Sequence, residues 1–375
     1  MEKEIYLNNG ATSYPKPDSV IKALQDSLLT IPQGRGNGET KSIKRCKENI
    51  ANFFGVDDFR YFIYSHNVSY AINLFFKGTL KPGMRIAITI AEHASIIRPL
   101  HHLSEDIGLD LVTIPLDKNE HVDLESLTEI NSQKQIDWFF FTHSSNVTGS
   151  VYDLDRIIRH CNELNIKTGV DISQTAGLIP FNANEIECDA FFVTGHKSLL
   201  GPVGIGLCFV RDITQVQPVL YGGTGINSRT LFQPMDLDER FEVGTPNVIG
   251  ITGLSASIDY VRERISCHFE HKNELVHYTI EKLIQFDDIS LYSTSKKKRN
   301  TGVVSFNIKG MLSVDIAELL ADRGIIVRGG MHCAPLMHKH LGTFPNGCVR
   351  ASFGHMTTKE DINYLVDEVK RIIHG

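Results

Sequence analysis

Short apolar runs alternate with amphipathic stretches through the first half of the chain. The runs are rich in aromatic and branched residues and end at polar or glycine residues, which predicts buried strands. They lie at 5–7, 61–64, 85–90, 109–114, 138–142, 167–171, 190–193 and 205–211. Helical spacing of apolar residues predicts helices at 18–29, 40–54, 69–75, 93–107 and 153–164. Strands that alternate with helices predict right-handed crossovers and an α/β fold, with a mainly parallel sheet covered by helices on both faces.

The pattern changes in the second half. A long amphipathic helix is expected from about Ile249 to Phe286. Strands are expected at 302–308, 325–327 and 349–352, and helices at 314–322 and 358–373. These shorter elements predict a smaller α+β unit. We therefore expect a large domain at 15–255 and a small C-terminal domain at 256–375, to which residues 1–14 also belong.

Composition and net charge exclude some classes of binding partner. The 375 residues are 42% hydrophobic, with a net charge of −6 and a pI of about 6.2, so neither nucleic acid nor a membrane surface is an expected partner. The basic run at 296–299 is expected to be a solvated turn, and the glycine-rich segment at 33–39 a plain loop. No apolar run reaches the roughly 18 residues of a membrane span, and the first residues lack a signal-peptide core. A cytoplasmic location is expected.

Seven cysteines are scattered along the chain without CxxC spacing. This argues against a disulfide framework or a zinc ribbon and predicts mostly reduced, buried thiols. Cys188 and Cys208 flank apolar runs and are expected in the core. Cys333 differs, because it lies among glycine, histidine and lysine residues in the segment 328–340. The glycines predict a mobile loop, and His332 is expected to favour the thiolate of Cys333.

A metal site built from Cys333, His338 and His340 is a weaker alternative for that segment. No second ligand pair at zinc-finger spacing supports it, so no metal is expected.

Polar residues follow the predicted strands at the points where those strands end. These residues are Ser69, His93, Asn146, Asp171 and Lys197. In open α/β sheets, ligands bind beyond the carboxyl ends of the strands, so we expect these side chains to converge on one pocket.

Lys197 follows the apolar run 190–193 directly and precedes the glycine-rich segment 201–206. Desolvation disfavours the ammonium form, and a neutral lysine can form a Schiff base with the aldehyde of pyridoxal 5′-phosphate (PLP). A surface lysine in a turn explains the position of Lys197 equally well.

PLP also needs an anion cradle and a carboxylate opposite its pyridine nitrogen. The small polar residues 65–69 lie between a strand and a helix and suit a phosphate, although an ordinary helix cap at Ser69 is the alternative. Asp171 suits the pyridine nitrogen and is otherwise a turn or capping residue. His93 suits ring stacking or proton transfer, although a lone histidine in a loop is more often simply exposed.

These residues carry a resemblance to a known family over essentially the whole chain. Thr194-Gly195-His196-Lys197 with Gly201-Pro202-Val203-Gly204, Asp171-Ile172-Ser173-Gln174, and Arg328-Gly329-Gly330-Met331-His332-Cys333-Ala334 resemble motifs of the class V aminotransferase superfamily. The match is closest to its cysteine desulfurase and selenocysteine lyase branch, in the group with a short catalytic loop. The resemblance implies the PLP-dependent transferase fold, fold type I.

The resemblance also implies a role for each matching residue. Lys197 would be the Schiff-base lysine, Asp171 the partner of the pyridine nitrogen, and Cys333 the sulfur acceptor. His93 would stack on the ring and move protons, while Asn146 and Gln174 would face the ring. Arg350, with Asn146, would bind the substrate carboxylate. The implied phosphate contacts are Asn67, Val68, Ser69, Thr194 and His196, with Thr245 reaching the partner subunit's phosphate in a homodimer.

The implied activity converts L-cysteine to L-alanine, with a persulfide on Cys333 that passes to a sulfur-acceptor protein. A selenocysteine lyase and another class V aminotransferase or β-lyase are the enzymatic alternatives, and a PLP-binding sulfur-relay scaffold is the non-enzymatic one. Four departures from the family pattern concern how the substrate is recognised and not the cofactor. Ser69 replaces threonine, Thr194 replaces serine, Tyr70 stands where glutamate is common, and the segment 352–356 differs from the family's usual continuation.

Overall fold

A computed structural model describes residues 4–30, 41–225, 227, 229–293 and 299–374. The glycine-rich loop expected at 33–39 lies outside the described residues, as does all of the basic run except Arg299.

In these ranges, helices α1 to α12 span Asp18–Leu29, Lys41–Phe53, Val68–Thr79, Ala94–Ile107, Leu124–Gln133, Leu154–Glu163, Ala183–Ile186, Val248–Arg262, Ile265–Leu283, Ser313–Ala321, Pro335–His340 and Lys359–His374. Strands β1 to β12 span Ile5–Tyr6, Phe62–Ser65, Arg85–Thr89, Asp110–Ile114, Trp138–Thr142, Lys167–Asp171, Ala190–Thr194, Gly206–Val210, Ile289–Leu291, Val303–Ile308, Ile325–Ile326 and Val349–Ser352.

The central sheet has the strand order β2-β8-β7-β6-β5-β3-β4. All its strands run in one direction except β8, which pairs antiparallel with both β7 and β2. This confirms the predicted, mainly parallel sheet. Strand β8 reverses because only a loop, with no crossover helix, joins it to β7. The carboxyl ends of the parallel strands therefore lie along one edge of the sheet.

Aromatic residues fill both faces of this sheet. In β5, Phe139 and Phe141 point into one core, while Trp138 and Phe140 point into the other, as the two-residue period of a strand requires. A Cβ at position 169 of β6 would come within 2.4 Å of the Phe140 ring, so Gly169 makes room for that ring. Each fully buried phenylalanine contributes about 1.5–3 kcal/mol of transfer free energy, which makes the sheet a rigid base for residues at its edge.

A smaller antiparallel sheet, β12-β10-β9, forms in the C-terminal part, and the short β1 pairs parallel with β11 in a separate two-stranded sheet. The single long helix expected at 249–286 is wrong, because α8 and α9 are separate helices. Val261 of α8 packs in a core of the large sheet, whereas Leu275 and Val276 of α9 pack in the core of the small sheet. The chain changes direction between α8 and α9, and each helix packs against a different core.

The division into domains at 15–255 and 256–375, with 1–14, stays a prediction. In the part of the chain that the structure describes, no helix combines the length and apolar character needed to cross a lipid bilayer.

Candidate active site

The predicted site residues meet at the carboxyl edge of the central sheet. Asp171 is the last residue of β6, and Lys197 follows β7 by three positions. The charges of Asp171, Arg350 and Cys333 all act on the Lys197 amine, and those of Lys197, Asp171 and Arg350 act on the His93 ring. These side chains therefore share one region, as expected from the strand ends.

Two neighbouring strands bring the start of α3 next to the end of β7. Gly206 of β8 lies between them, paired with Ser65 of β2 on one side and with Thr194 of β7 on the other. A Cβ at this glycine would lie 2.2 Å from the backbone nitrogen of Val68. Only glycine allows the first turn of α3 to approach β8 so closely.

This corner has unused hydrogen-bonding capacity. The first N–H groups of α3, on Val68 and Ser69, have no carbonyl one turn earlier to accept them. Thr194 Oγ1 and His196 Nδ1 are buried and have no hydrogen-bond partner among the described residues. Burial, together with Lys197 and Lys16, lowers the pKa of His196 to about 4, so this ring is neutral. Helix-start N–H groups and unpaired polar atoms together form a site suited to a phosphate.

The expected helix cap is assigned differently in the structure. Asn67, rather than Ser69, caps α3, since its side-chain oxygen accepts the N–H of Tyr70 at 2.9 Å. The Ser69 hydroxyl instead lies 2.5 Å from that of Ser95 at the start of α4. The predicted cradle and the His93 segment are thus linked directly.

His93 caps α4 and is held by Ser95. Its Nδ1 accepts the backbone N–H of Ser95 at 3.1 Å and lies 2.9 Å from the hydroxyl of the same residue. Burial lowers the pKa of His93 to about 4, and the positive charges of Lys197, Arg328 and Arg350 contribute, with Asp171 opposing them. The ring is therefore neutral, and its Nε2 carries the proton.

Lys197 has the lowered amine pKa that a Schiff-base lysine needs. The residue is half-buried, and burial lowers the pKa of its amine from 10.5 to about 8. Asp171 and Cys333 partly oppose this shift, whereas Arg350 and Arg328 add to it. About a tenth of these amines are neutral at pH 7, some hundreds of times more than for an ordinary lysine.

Asp171 and Gln174 lie on the turn that follows β6, and both are buried. One carboxylate oxygen of Asp171 accepts the N–H of Ser173 at 2.8 Å, and the other has no hydrogen-bond partner among the described residues. The Gln174 amide donates to the carbonyl of Gly10 at 3.2 Å. Asp171 is thus a turn aspartate that keeps one oxygen available for a ligand.

Arg350 is almost fully buried, at 1% exposed, on strand β12. Its guanidinium donates to the Asn146 carbonyl at 3.0 Å and to the Asn8 side-chain oxygen at 3.2 Å, while Nε has no partner in the described chain. A Cβ at Gly10 would lie 3.2 Å from Arg350 Cζ, so this glycine makes room for the guanidinium. Burial and the charge of Arg328 lower the pKa of Arg350 to about 10, which leaves it cationic at neutral pH.

The segment that carries Cys333 is tied to the sheet edge by its backbone. The carbonyl of Cys333 accepts the N–H of Ala94 at 2.7 Å, and that of His332 accepts the Asn146 amide at 2.6 Å. His332 and Cys333 both adopt left-handed backbone angles, with φ of 46° and 58°. These contacts hold the cysteine beside His93 and Asn146.

The prediction that His332 favours the thiolate of Cys333 is wrong. His332 is buried, its Nε2 lies 3.1 Å from the carbonyl of Arg328, and burial with Arg350 lowers its pKa well below 6.5. A neutral imidazole cannot stabilise a thiolate by charge. Arg328 takes that position instead, since its guanidinium lies 3.8 Å from the Cys333 sulfur.

Thr245, the predicted contact to the partner subunit's phosphate, is exposed in the loop before α8. No hydrogen bond links it to the site within the described chain.

The alternative metal site predicted from Cys333, His338 and His340 does not form among the described residues. His338 instead lies close to His332 and Cys348.

Comparisons with known proteins agree with this architecture. A family model described as aminotransferase class-V matches residues 5–365. The chain is 31% identical to a cysteine desulfurase from Pectobacterium carotovorum subsp. carotovorum, with 98% of this chain and 92% of the relative covered. A probable cysteine desulfurase from Halalkalibacterium halodurans is 30% identical, with the same coverage of 98% and 92%.

Solved structures give the same result. The apo structure of a cysteine desulfurase from Thermococcus onnurineus NA1 aligns with a TM-score of 0.91 and 30% identity, covering 99% of this chain and 95% of that one. A cysteine desulfurase from Escherichia coli, in its S-sulfonic acid form, aligns with a TM-score of 0.87 and 25% identity, with the same coverage.

Proposed function

The chain belongs to the aminotransferase class-V family, and on that premise we propose that it is a PLP-dependent cysteine desulfurase. The predicted fold type I is confirmed by the central sheet and by the matching structures. The proposed reaction takes L-cysteine to L-alanine and leaves its sulfur as a persulfide on Cys333, for transfer to an acceptor. That two curated relatives at about 30% identity carry the same activity in their names supports sulfur over the selenocysteine alternative.

The residues present fit the cofactor. Unpaired Thr194 and His196 atoms next to the first N–H groups of α3 suit its phosphate, and the free Asp171 oxygen suits its pyridine nitrogen. Lys197 would hold its aldehyde carbon. When bound, PLP supplies an electron-accepting ring conjugated to the α-carbon of the substrate.

Each remaining step is assigned to a residue of the chain. Arg350 binds the substrate carboxylate, because its guanidinium is buried and keeps Nε unpaired in the described chain. The neutral amine of Lys197 takes the α-proton, since its pKa of about 8 makes it a usable base near neutral pH. His93 carries a proton on Nε2 and lies near Lys197, so we assign to it the exchange of protons with the substrate.

Sulfur transfer falls to Cys333. Its sulfur attacks the sulfur of the substrate, a new S–S bond forms, and the C–S bond breaks. The electron pair of the broken bond stays with the substrate carbon, which takes a proton and becomes the methyl group of alanine. The net reaction is L-cysteine plus a thiol going to L-alanine plus a persulfide, so no outside oxidant or reductant is needed. The Arg328 guanidinium lies 3.8 Å from the Cys333 sulfur and is the cationic side chain beside the attacking atom.

One contact carries the proposal: the Cys333 carbonyl accepts the N–H of Ala94, the residue after His93. This brings the cysteine to the sheet edge where Lys197 and Asp171 lie. An aminotransferase or a β-lyase has no need of a cysteine there.

The test is to add L-cysteine to the purified holoprotein under reductant and to measure alanine and sulfide together. Equal amounts of both are expected from the wild type. A parallel reaction with L-selenocysteine compares alanine formation from the two substrates and so tests the selenocysteine lyase alternative. Absence of alanine would contradict the activity, whereas pyruvate in place of alanine would favour a β-lyase.

We propose a homodimer as well. Large apolar side chains are exposed along the segment before α8, with Tyr221 at 73%, Leu231 at 97% and Phe232 at 84%. Several large apolar side chains exposed in one segment are a typical feature of a protein interface. Exposed Thr245 lies in the same segment and is free to serve the neighbouring subunit's phosphate site. Light scattering should give twice the 42.0 kDa chain mass, and a fully active monomer would refute the shared site.

A further inference from the structure

Three side chains of types that commonly ligate metals, His332, His338 and Cys348, lie close together next to Cys333. One ring nitrogen each of His332 and His338 and the sulfur of Cys348 lie within 4.8 Å of one another. All three residues are buried, at 2%, 0% and 0% exposed. His332 precedes Cys333, His338 lies on α11, and Cys348 precedes β12, so three separate pieces of chain converge on this point.

The outer hydrogen bonds determine which nitrogens carry protons. His332 Nε2 lies 3.1 Å from the carbonyl of Arg328, which only accepts, so this nitrogen carries the hydrogen. The Thr343 hydroxyl lies 2.7 Å from His338 Nδ1 and 3.3 Å from the backbone carbonyl of His338, and when it donates to the carbonyl it accepts from Nδ1. In that tautomer both rings present a lone pair to the cluster, from His332 Nδ1 and from His338 Nε2.

One thiol cannot satisfy two lone pairs. Cys348 Sγ lies 3.9 Å from His332 Nδ1 and has a single hydrogen to give. His338 Nε2 is fully buried and has no hydrogen-bond partner among the described residues. The backbone carbonyl of Met331 also faces the His338 ring and only accepts, so metal binding at Nε2 needs the tautomer whose proton is on Nδ1, beside the Thr343 hydroxyl. A buried, unpaired lone pair beside a thiol leaves room for a cation.

We propose that His332, His338 and Cys348 bind a thiophilic metal ion of the zinc class. Imidazole and thiolate are the ligands such ions prefer, and metal-ligating histidines are held by an outer hydrogen bond on the second nitrogen, as both are here. Zn–N bonds of about 2.0 Å and a Zn–S bond of about 2.3 Å place tetrahedral ligands about 3.3–3.6 Å apart. The three atoms therefore need to approach one another by about 1 Å. Binding releases the Cys348 thiol proton.

The ion would act on the neighbouring cysteine through the backbone. His332 and Cys333 share a peptide bond, and the His332 carbonyl is already fixed by the Asn146 amide. A metal on the His332 ring fixes its side chain too, so it restricts the segment on which Cys333 lies. Metal binding itself does not depend on the proposed desulfurase activity.

The experiment gives the holoprotein one equivalent of Zn²⁺, passes it over a desalting column and measures the retained metal per chain. About one ion per chain is expected for the wild type and for Cys333→Ser, because Cys333 is not a ligand. Cys348→Ala and His338→Gln should each bind at least tenfold more weakly. Cys208→Ala removes an equally buried thiol on β8 and is the matched control, with full retention.

Co²⁺ in place of Zn²⁺ gives a spectroscopic readout, since ligand-field bands of four-coordinate Co²⁺ report the bound geometry. If Cys348→Ala fails to fold, the thermal midpoint decides: Zn²⁺ should raise it for the wild type and Cys333→Ser, but not for His338→Gln. The proposal is overturned if the wild type retains no ion or if Cys348→Ala binds like the wild type. Loss of binding in Cys333→Ser would also overturn it, because the ion would then belong to the half-buried Cys333 thiol.

Discussion

Glu92 is a fully buried carboxyl group immediately before His93, and replacing it by glutamine tests the electrostatics of the sheet edge. Its Oε1 accepts the Thr89 hydroxyl at 2.5 Å and the N–H of Thr142 at 2.8 Å, so it ties the end of β3 to the end of β5. Its Oε2 has no partner in the described part of the chain. Burial raises the pKa of Glu92 from 4.5 to about 8, and the Asp171 charge adds to the shift.

This pKa predicts how stability depends on pH. Because the folded pKa is raised, the contribution of Glu92 is full below pH 4.5 and is lost as the pH rises toward 8. Each pH unit between these values costs up to about 1.4 kcal/mol, which amounts to about 2.5 kcal/mol between pH 5 and pH 7. Glutamine has no proton to lose and still accepts the N–H of Thr142. Relative to the wild type, Glu92→Gln should therefore gain about 2.5 kcal/mol of unfolding free energy over that range.

Denaturant unfolding of both proteins at several pH values between 5 and 8 measures this difference. Glu368→Gln is the matched control, because Glu368 is also buried but pairs with Arg323 at 3.0 Å and with Arg371. That substitution should destabilise the protein, since two arginines lose their partner. If the stabilities of Glu92→Gln and the wild type change in parallel with pH, to within about 0.5 kcal/mol, Glu92 is ionised in the fold and the reasoning fails.

Three further predictions concern the proposed reaction. Cys333→Ser should keep the visible absorption of bound PLP but lose alanine formation by orders of magnitude, because a hydroxyl is a far weaker nucleophile toward sulfur; wild-type turnover would make Cys348 the next cysteine to test. The rate at which the apoprotein takes up PLP should rise about tenfold per pH unit and level off near pH 8, where the Lys197 amine becomes neutral. A flat profile, or borohydride labelling of another lysine, would exclude Lys197. Arg350→Lys should raise the KM for L-cysteine at least tenfold in steady-state assays, since lysine cannot bind a carboxylate through two parallel hydrogen bonds; an unchanged KM would remove Arg350 from the substrate site.

The large sheet was predictable because its central strands are buried on both faces. Strands β5 and β6 of this sheet, and β12 of the small sheet, begin and end at the predicted residues, since continuous apolar runs bounded by polar residues leave little ambiguity. Helix α5 was not predicted, because only Leu124 and Leu127 of its ten residues are buried and the apolar pattern is correspondingly weak. The break between α8 and α9 was missed for the opposite reason: the apolar pattern continues through both helices although they pack in different cores.

The strand-end residues of the site were predictable for a related reason. In a parallel sheet, the residue that follows each strand is carried to the same edge, so Asp171 and Lys197 could be placed together without any contact information. Asn8 and Gly10 could not be placed in this way. They reach Arg350 because Ile5 and Tyr6 of β1 pair with β11, more than 300 residues later, and the apolar runs predicted as strands at 5–7 and 325–327 carry no information about which strand pairs with which.

The error over His332 shows what a sequence cannot convey about a short loop. Adjacent residues suggest adjacent side chains, yet left-handed backbone angles at His332 and Cys333 turn the two side chains into different surroundings. The imidazole enters the interior toward Cys348, and the sulfur faces Arg328, which lies five residues earlier. Arg328 can return to the sulfur because its backbone pairs with Arg350 on β12, at 2.8 and 3.2 Å, and so folds the loop back on itself. The same pairing fixes both guanidinium groups near Cys333, so one strand contact supplies the proposed carboxylate ligand and the cation beside the nucleophile together.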